Sequence, residues 1–203
     1  MRRRAMVLMA CVLGVAGCTG GSPDAATPTG SGGSGATTST GPTTSRSFEL
    51  VGFSPLTVDV PDEPLATAGA SLAGSQLEVY LAEREGQAVT VVFGLRQIRE
   101  TSEPSSISST LGEATFDNTV GGVSLLDQAA LKQYLVLRPL GAAEASTGGQ
   151  PGPCACSGTL GVDLELNEVV YFAASIAAPP ASTTKVSFVT PVGTVPGLTL
   201  TDG

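Results

Sequence analysis

From residue 48 onward, apolar and polar residues alternate in short runs. The spacing predicts strands over residues 48–53 and 56–60, parted by Ser54-Pro55. Pro61 and Pro64 break the chain, and the small residues of 66–74 offer no face to bury, which predicts a loop. The clearest pattern follows. Leu77, Val79 and Leu81 alternate with Glu78, Tyr80 and Ala82. Glu85-Gly86-Gln87 turns the chain, and Val89, Val91, Phe93 and Leu95 then continue one apolar face. A period of two on both arms predicts a β-hairpin. The β-branched second arm suits a pleated surface.

Further on, residues 100–109 are polar and predict a loop, and Phe116 is expected to return to the core. Asp117-Asn118 and Gly121-Gly122 signal turns. Residues 123–126 are apolar, and 127–132 read as a single helical turn. Tyr134, Val136 and Arg138 alternate with Leu135 and Leu137 in another strand. A small-residue loop over 141–152 runs into Pro153-Cys154-Ala155-Cys156-Ser157. Val162, Leu164 and Leu166 alternate with Asp163 and Glu165, and Asn167-Glu168 turns the chain. Residues 169–178 form a long apolar run suited to burial on both faces, ended by Pro179-Pro180. A strand over 185–189 follows, Pro191 and Gly193 interrupt, and 198–200 close the pattern. About eight to ten short strands without a long helix predict an all-β fold, an immunoglobulin-like β-sandwich. A partly open barrel is the alternative. No period of 20 to 50 residues repeats, so a repeat array is excluded.

The first residues follow another pattern. Arg2, Arg3 and Arg4 precede an apolar run over 5–15 and then small residues, the three parts of a secretory signal. The run falls well short of the ~20 residues of a membrane-spanning helix. Leu13-Gly14-Val15-Ala16-Gly17-Cys18 resembles the lipobox of bacterial lipoproteins. In that family the cysteine thiol receives a diacylglyceryl group, and cleavage leaves it as the first residue. The resemblance implies a lipoprotein signal peptide over 1–17, with Cys18 as the lipidation site and Cys11 discarded. Two acyl chains give stable anchoring where one is marginal. An ordinary signal with a chance cysteine and an uncleaved helix are the alternatives.

Residues 19–47 are Gly, Ser, Thr, Pro and Ala, with only Asp24 and Arg46 charged. Such a segment cannot bury enough apolar surface to offset its ordering entropy. Residues 18–47 are therefore expected to form a disordered tether with a reach of ~30 Å, ahead of a sandwich over 48–203. The threonines and prolines suit either a plain spacer or a glycosylated stalk.

Composition narrows the chemistry. The chain has 203 residues, 41% of them apolar, enough for one core. Setting aside the three signal arginines, seven basic residues face eighteen acidic ones, a net charge of −11. That argues against nucleic acid, which needs a basic footprint, and against contact with anionic headgroups beyond the anchor. Histidine and tryptophan are absent. The commonest general base and metal ligand is thus missing. All three methionines lie in the signal, which excludes a methionine-histidine copper carrier. No cofactor and no metal site are expected.

Cys154 and Cys156 are the remaining candidates for chemistry. In an oxidising compartment they either pair with each other or stay reduced. A Cys-x-Cys disulfide closes a very short loop and is geometrically demanding. The readings are a structural clip, free thiols, redox exchange, or half of a metal site that no histidine completes. Asp163 and Glu165 share one strand face, where a glycosidase can use a carboxylate pair; outer strand faces also carry such residues routinely. Asp59, Asp62 and Glu63 suit calcium, without an ordered loop motif to support it. No Gly-x-Ser-x-Gly elbow occurs.

Leu125-Leu126-Asp127, residues 132–138 (KQYLVLR), Cys154-Ala155-Cys156-Ser157, Ala178-Pro179-Pro180 and Thr184-Lys185-Val186 occur in that order. The set resembles an immunoglobulin-like domain of actinobacterial cell-envelope lipoproteins and spans residues 77–200. In some relatives a similar domain precedes an OmpA-like peptidoglycan-binding module. None follows in this sequence, so wall contact is expected from the sandwich or the tether. The family offers no catalytic residues to carry over. The resemblance implies a membrane-anchored lipoprotein on the extracytoplasmic face of the cell membrane. It would act without catalysis, as an interaction module for an envelope protein or cell-wall polymer. The alternatives are a carrier of lipid or another apolar ligand along 169–178, and a redox protein using Cys154 and Cys156.

Overall fold

The computed structural model describes residues 41–101, 105–114, 117–140 and 152–203. Cys18, the signal, residues 18–40 of the expected tether, Phe116 and nearly all of the 141–152 loop lie outside the described residues. The described chain is all-β, without a helix.

The predicted hairpin forms the centre: β4 (Ser75–Glu85) pairs antiparallel with β5 (Ala88–Gln97), and Glu85 faces Ala88 across Gly86-Gln87. Gly86 has φ +59°, a left-handed conformation that glycine adopts without steric cost. The apolar run becomes β10 (Val169–Ala177), paired along its whole length with β5. On the other side of β4 lie β3 (Ala66–Gly69), antiparallel, and β13 (Thr201–Asp202), parallel. These make a five-stranded sheet. A four-stranded sheet orders β12 (Gly193–Thr199), β11 (Lys185–Thr190), β7 (Ser124–Asp127) and β8 (Lys132–Leu135). β6 (Ser105–Ser106) pairs with β9 (Asp163–Leu164).

The two larger sheets share one core. Leu77, Val79, Val91, Phe93, Leu95, Phe172 and Ile176 come from one sheet, and Leu125, Val186, Phe188 and Val195 from the other. The Phe93 ring centroid lies 5.6 Å from that of Phe172 and 5.0 Å from that of Phe188. Inner faces that meet through one such layer make a β-sandwich.

A second, smaller core covers the outer face of the five-stranded sheet. β1 (Thr43–Phe48) and β2 (Leu56–Pro61) form an antiparallel hairpin of their own. It buries Phe48 and Val60 against Tyr80, Val92 and Ala173.

Several expectations need correction. Residues 43–47 of the expected tether are strand, because this Ser/Thr-rich segment before Phe48 pairs with β2. Residues 49–53 are not a strand; they form the connection within that hairpin, touching the sheet by a bridge from Leu50 to Ser157. Residues 66–69 are a strand rather than a loop, since their backbone satisfies the edge of β4 whatever their side chains. Leu81 leaves the face of Leu77 and Val79. The register shifts between Val79 and Leu81, leaving Tyr80 as the extra residue of a β-bulge. Leu81 joins the outer cluster, and Ala82 takes the core position. The expected helical turn at 127–132 is a hairpin connection in which Asp127 faces Lys132. The 100–109 loop contains β6 and the buried Ile107.

Candidate functional site

The outer face under the β1–β2 hairpin holds the densest polar cluster. Alternation points Glu78 and Tyr80 of β4 and Arg96 of β5 to this face. Arg96 donates from Nε to Glu78 Oε1 at 2.7 Å and from Nη2 to Glu78 Oε2 at 3.1 Å. The Tyr80 hydroxyl also donates to Glu78 Oε2. Glu78 and Tyr80 are buried, whereas a third of the Arg96 side chain is exposed. Burial, reinforced by the Glu78 hydrogen bond, holds the Tyr80 hydroxyl well above the ordinary phenol range. The same carboxylate strengthens the charged form of Arg96.

Tyr171 of β10 tilts against Tyr80 with ring centroids 5.0 Å apart. Gly94 makes this packing feasible: a Cβ there would come within 2.5 Å of Val169 Cγ1. Arg46 of β1 closes the stack, its guanidinium 3.8 Å from the Tyr171 ring centroid, a cation–π contact. Both carboxylate oxygens of Glu78 are occupied by donors within the sheet. The cluster therefore fixes side chains in place instead of holding a free acid or base. Sequence reading missed it, although the outward alternation of Glu78 was visible; pairing Glu78 with Arg96 required the register of β4 on β5.

Cys154 and Cys156 are joined in a disulfide, with Cα atoms 5.2 Å apart. Both are fully buried. Their segment runs along the edge of β10: Ser175 N donates to Ala155 O at 2.8 Å, and Ser157 N to Ala173 O at 2.9 Å. Its other side holds the connection of the N-terminal hairpin. Val51 N donates to Cys156 O at 2.9 Å, and Cys154 N to Val51 O at 3.0 Å. The clipped segment thus ties residue 51 to β10, with its sulfurs sealed from solvent.

The acidic candidates are scattered. Asp163 on β9, Glu165 and Glu168 are exposed, as are Asp59, Asp62 and Glu63. Asp62 accepts a hydrogen bond from Thr44 Oγ1 at 2.9 Å. Among the described residues no three metal-ligating side chains gather.

Asp127, at the start of the β7–β8 connection, is buried beside a concavity of about 220 Å³ lined also by Gln128, Lys185 and Ser187. Asp127 Oδ1 accepts from Ala129 N and Ala130 N, each at 3.0 Å, and Oδ2 from Thr183 Oγ1 at 2.9 Å. These bonds, that from Ala130 foremost, hold its carboxyl below the usual carboxylate range.

The surface feature that stands out is apolar. β8 is the last strand of the four-stranded sheet. Leu131 (86% exposed), Leu135 (53%) and Leu137 (37%) lie along it and its continuation, and Leu140 beyond is fully exposed. Compared with known proteins, the chain matches no family model, no curated protein and no solved structure.

Proposed function

We propose that the chain is a lipid-anchored envelope protein whose β-sandwich, of immunoglobulin-like type, is a non-enzymatic interaction module. Acylated Cys18 holds it to the extracytoplasmic face of the membrane, and the segment before β1 sets its distance from the lipid. The contact face is the β8 edge, and the partner is an envelope protein that pairs with or packs on it.

One contrast carries this reading. The buried groups able to do chemistry are engaged with one another: Glu78 with Arg96 and Tyr80, Asp127 with Thr183, and Cys154 with Cys156. Leu135 on the edge strand β8, and Leu131 just before it, instead lie exposed. A sheet edge with apolar side chains is a template for strand addition or packing by another chain.

A photo-crosslinking residue in place of Gln133, in the full chain in cells, tests the proposal. One discrete protein adduct is expected, lost when Leu135→Glu is added. Absence of any adduct at normal abundance would overturn the β8 assignment. Cys18→Ser is expected to move the protein out of the membrane fraction; its retention there would overturn the anchor.

A further inference from the structure

We propose that the β1–β2 hairpin is a hinged strap, which opens from the outer face of the five-stranded sheet while the sandwich beneath stays folded. The proposal rests on the geometry of the fold and is independent of the anchor and of the β8 edge.

Four observations carry it. The hairpin forms a two-stranded sheet of its own, with no ladder to either larger sheet. Its apolar attachment is a separate cluster, to which it contributes two buried side chains, Phe48 and Val60, with Leu50, Leu56 and Val58 partly buried beside them. An isolated two-stranded hairpin is marginal at best, so little beyond that cluster keeps it closed.

The polar network it covers does not depend on it. The hydrogen bonds among Glu78, Tyr80 and Arg96 run between β4 and β5. Opening therefore strands no buried carboxylate, which would otherwise be the largest barrier. The strap's own polar contact with the sheet is poor by comparison. Arg46 stacks on Tyr171, but its Nε is buried without a hydrogen-bond partner. Opening returns that group to water, a gain that offsets part of the lost contact.

The strap also has a fixed end. Its connection is held by the two backbone hydrogen bonds between Val51 and the Cys154–Cys156 segment. Next to them Gly52, at φ +81°, lies so close to Pro153 that a Cβ would come within 2.4 Å of the Pro153 Cβ. Beyond β2, Leu65 N donates to Val79 O at 2.7 Å. β2 lies between these two points and β1 before them, so the hairpin swings about the line that joins Val51 and Leu65. Opening uncovers Tyr80, Tyr171, Val92 and Ala173, an aromatic and apolar face rimmed by Arg96.

Residue-resolved amide hydrogen exchange on the full chain tests this. Ladder amides of β1 and β2 are expected to exchange roughly a hundredfold or more faster than those of β4, β5 and β10, with a smaller denaturant dependence. Equal rates and slopes in the hairpin and the central strands would overturn the proposal. The amides of Val51 and Cys154 are expected to stay protected when β1 opens; exchange in step with β1 would overturn the hinge. Phe48→Ala is expected to accelerate hairpin exchange by about tenfold or more while leaving the central strands unchanged. An equal acceleration everywhere would show one cooperative unit and overturn the strap. Should that variant fail to fold, the wild-type comparison already decides.

Discussion

Glu78 and Asp127 show how a single carboxylate can serve structure here. Glu78 receives three donors on a buried sheet face. Glu78→Gln removes the charge that Arg96 grips and leaves an amide N–H₂ facing donors. A loss of about 1–3 kcal/mol is expected, at the lower end for buried ion pairs because Arg96 is partly in water. Urea unfolding measures it. Asp127 acts by hydrogen bonding to two backbone amides and Thr183. Its carboxyl is more acidic in the folded chain than in the unfolded one. Its contribution is therefore complete above the unfolded value and is lost as pH falls through the folded one. Asp127→Asn is expected to be less stable than wild type at neutral pH, with a difference that closes in acid. Unfolding midpoints of both chains from about pH 6 to about pH 2 check this; a constant gap would contradict it.

At the scale of elements, the decisive features are where strands are joined. The Cys154–Cys156 segment links β10 on one side to Val51 on the other. Its disulfide shortens the conformational list of a loop only three residues long, so the chain-entropy gain is small, about 1–2 kcal/mol. Replacing both cysteines by alanine is expected to lower stability by about that amount, plus the packing of two buried sulfurs, in thermal or urea unfolding. The effect should centre on protection at Val51 and Ser157, leaving the β4–β5 ladder intact. The bulge at Tyr80 works similarly by position. One extra residue leaves Tyr80 on the outer face, sends Leu81 there beside it and turns Ala82 to the core. Without it, Leu81 would return to the inner face and the outer cluster would lose that side chain.

For the molecule as a whole, stability resides in the layer between the two larger sheets. Phe93 touches the rings of Phe172 beside it and Phe188 across the layer. Phe93→Ala is expected to cost about 3–5 kcal/mol, a large share of the 5–15 kcal/mol typical of a domain. The melting temperature should fall steeply, with the strands of the two larger sheets losing structure together. The hairpin is attached through a smaller cluster, so damage there should stay local. That asymmetry separates a cooperative sandwich from a part able to move on it.

Local pattern determined the class and the centre of this fold. A strand that buries one face must alternate with period two, so β4, β5 and the turn at Gly86 were legible, and the doubly apolar run of β10 announced burial on both faces. Cys154 and Cys156 were legible as neighbours for the same reason. Tertiary structure decided the rest. β1 is Ser/Thr-rich and β3 is made of small residues; each is a strand because a neighbouring backbone needs its hydrogen bonds, a demand that leaves no mark in side-chain polarity. The bulge exists only as a difference in count between paired strands. Glu78 and Arg96 lie 18 positions apart and meet through register alone. The exposure of Leu135 on β8, and of Leu131 just before it, left no mark in the sequence, because hydrophobicity states what a side chain would bury, while only the packed sheets settle which edge is left uncovered.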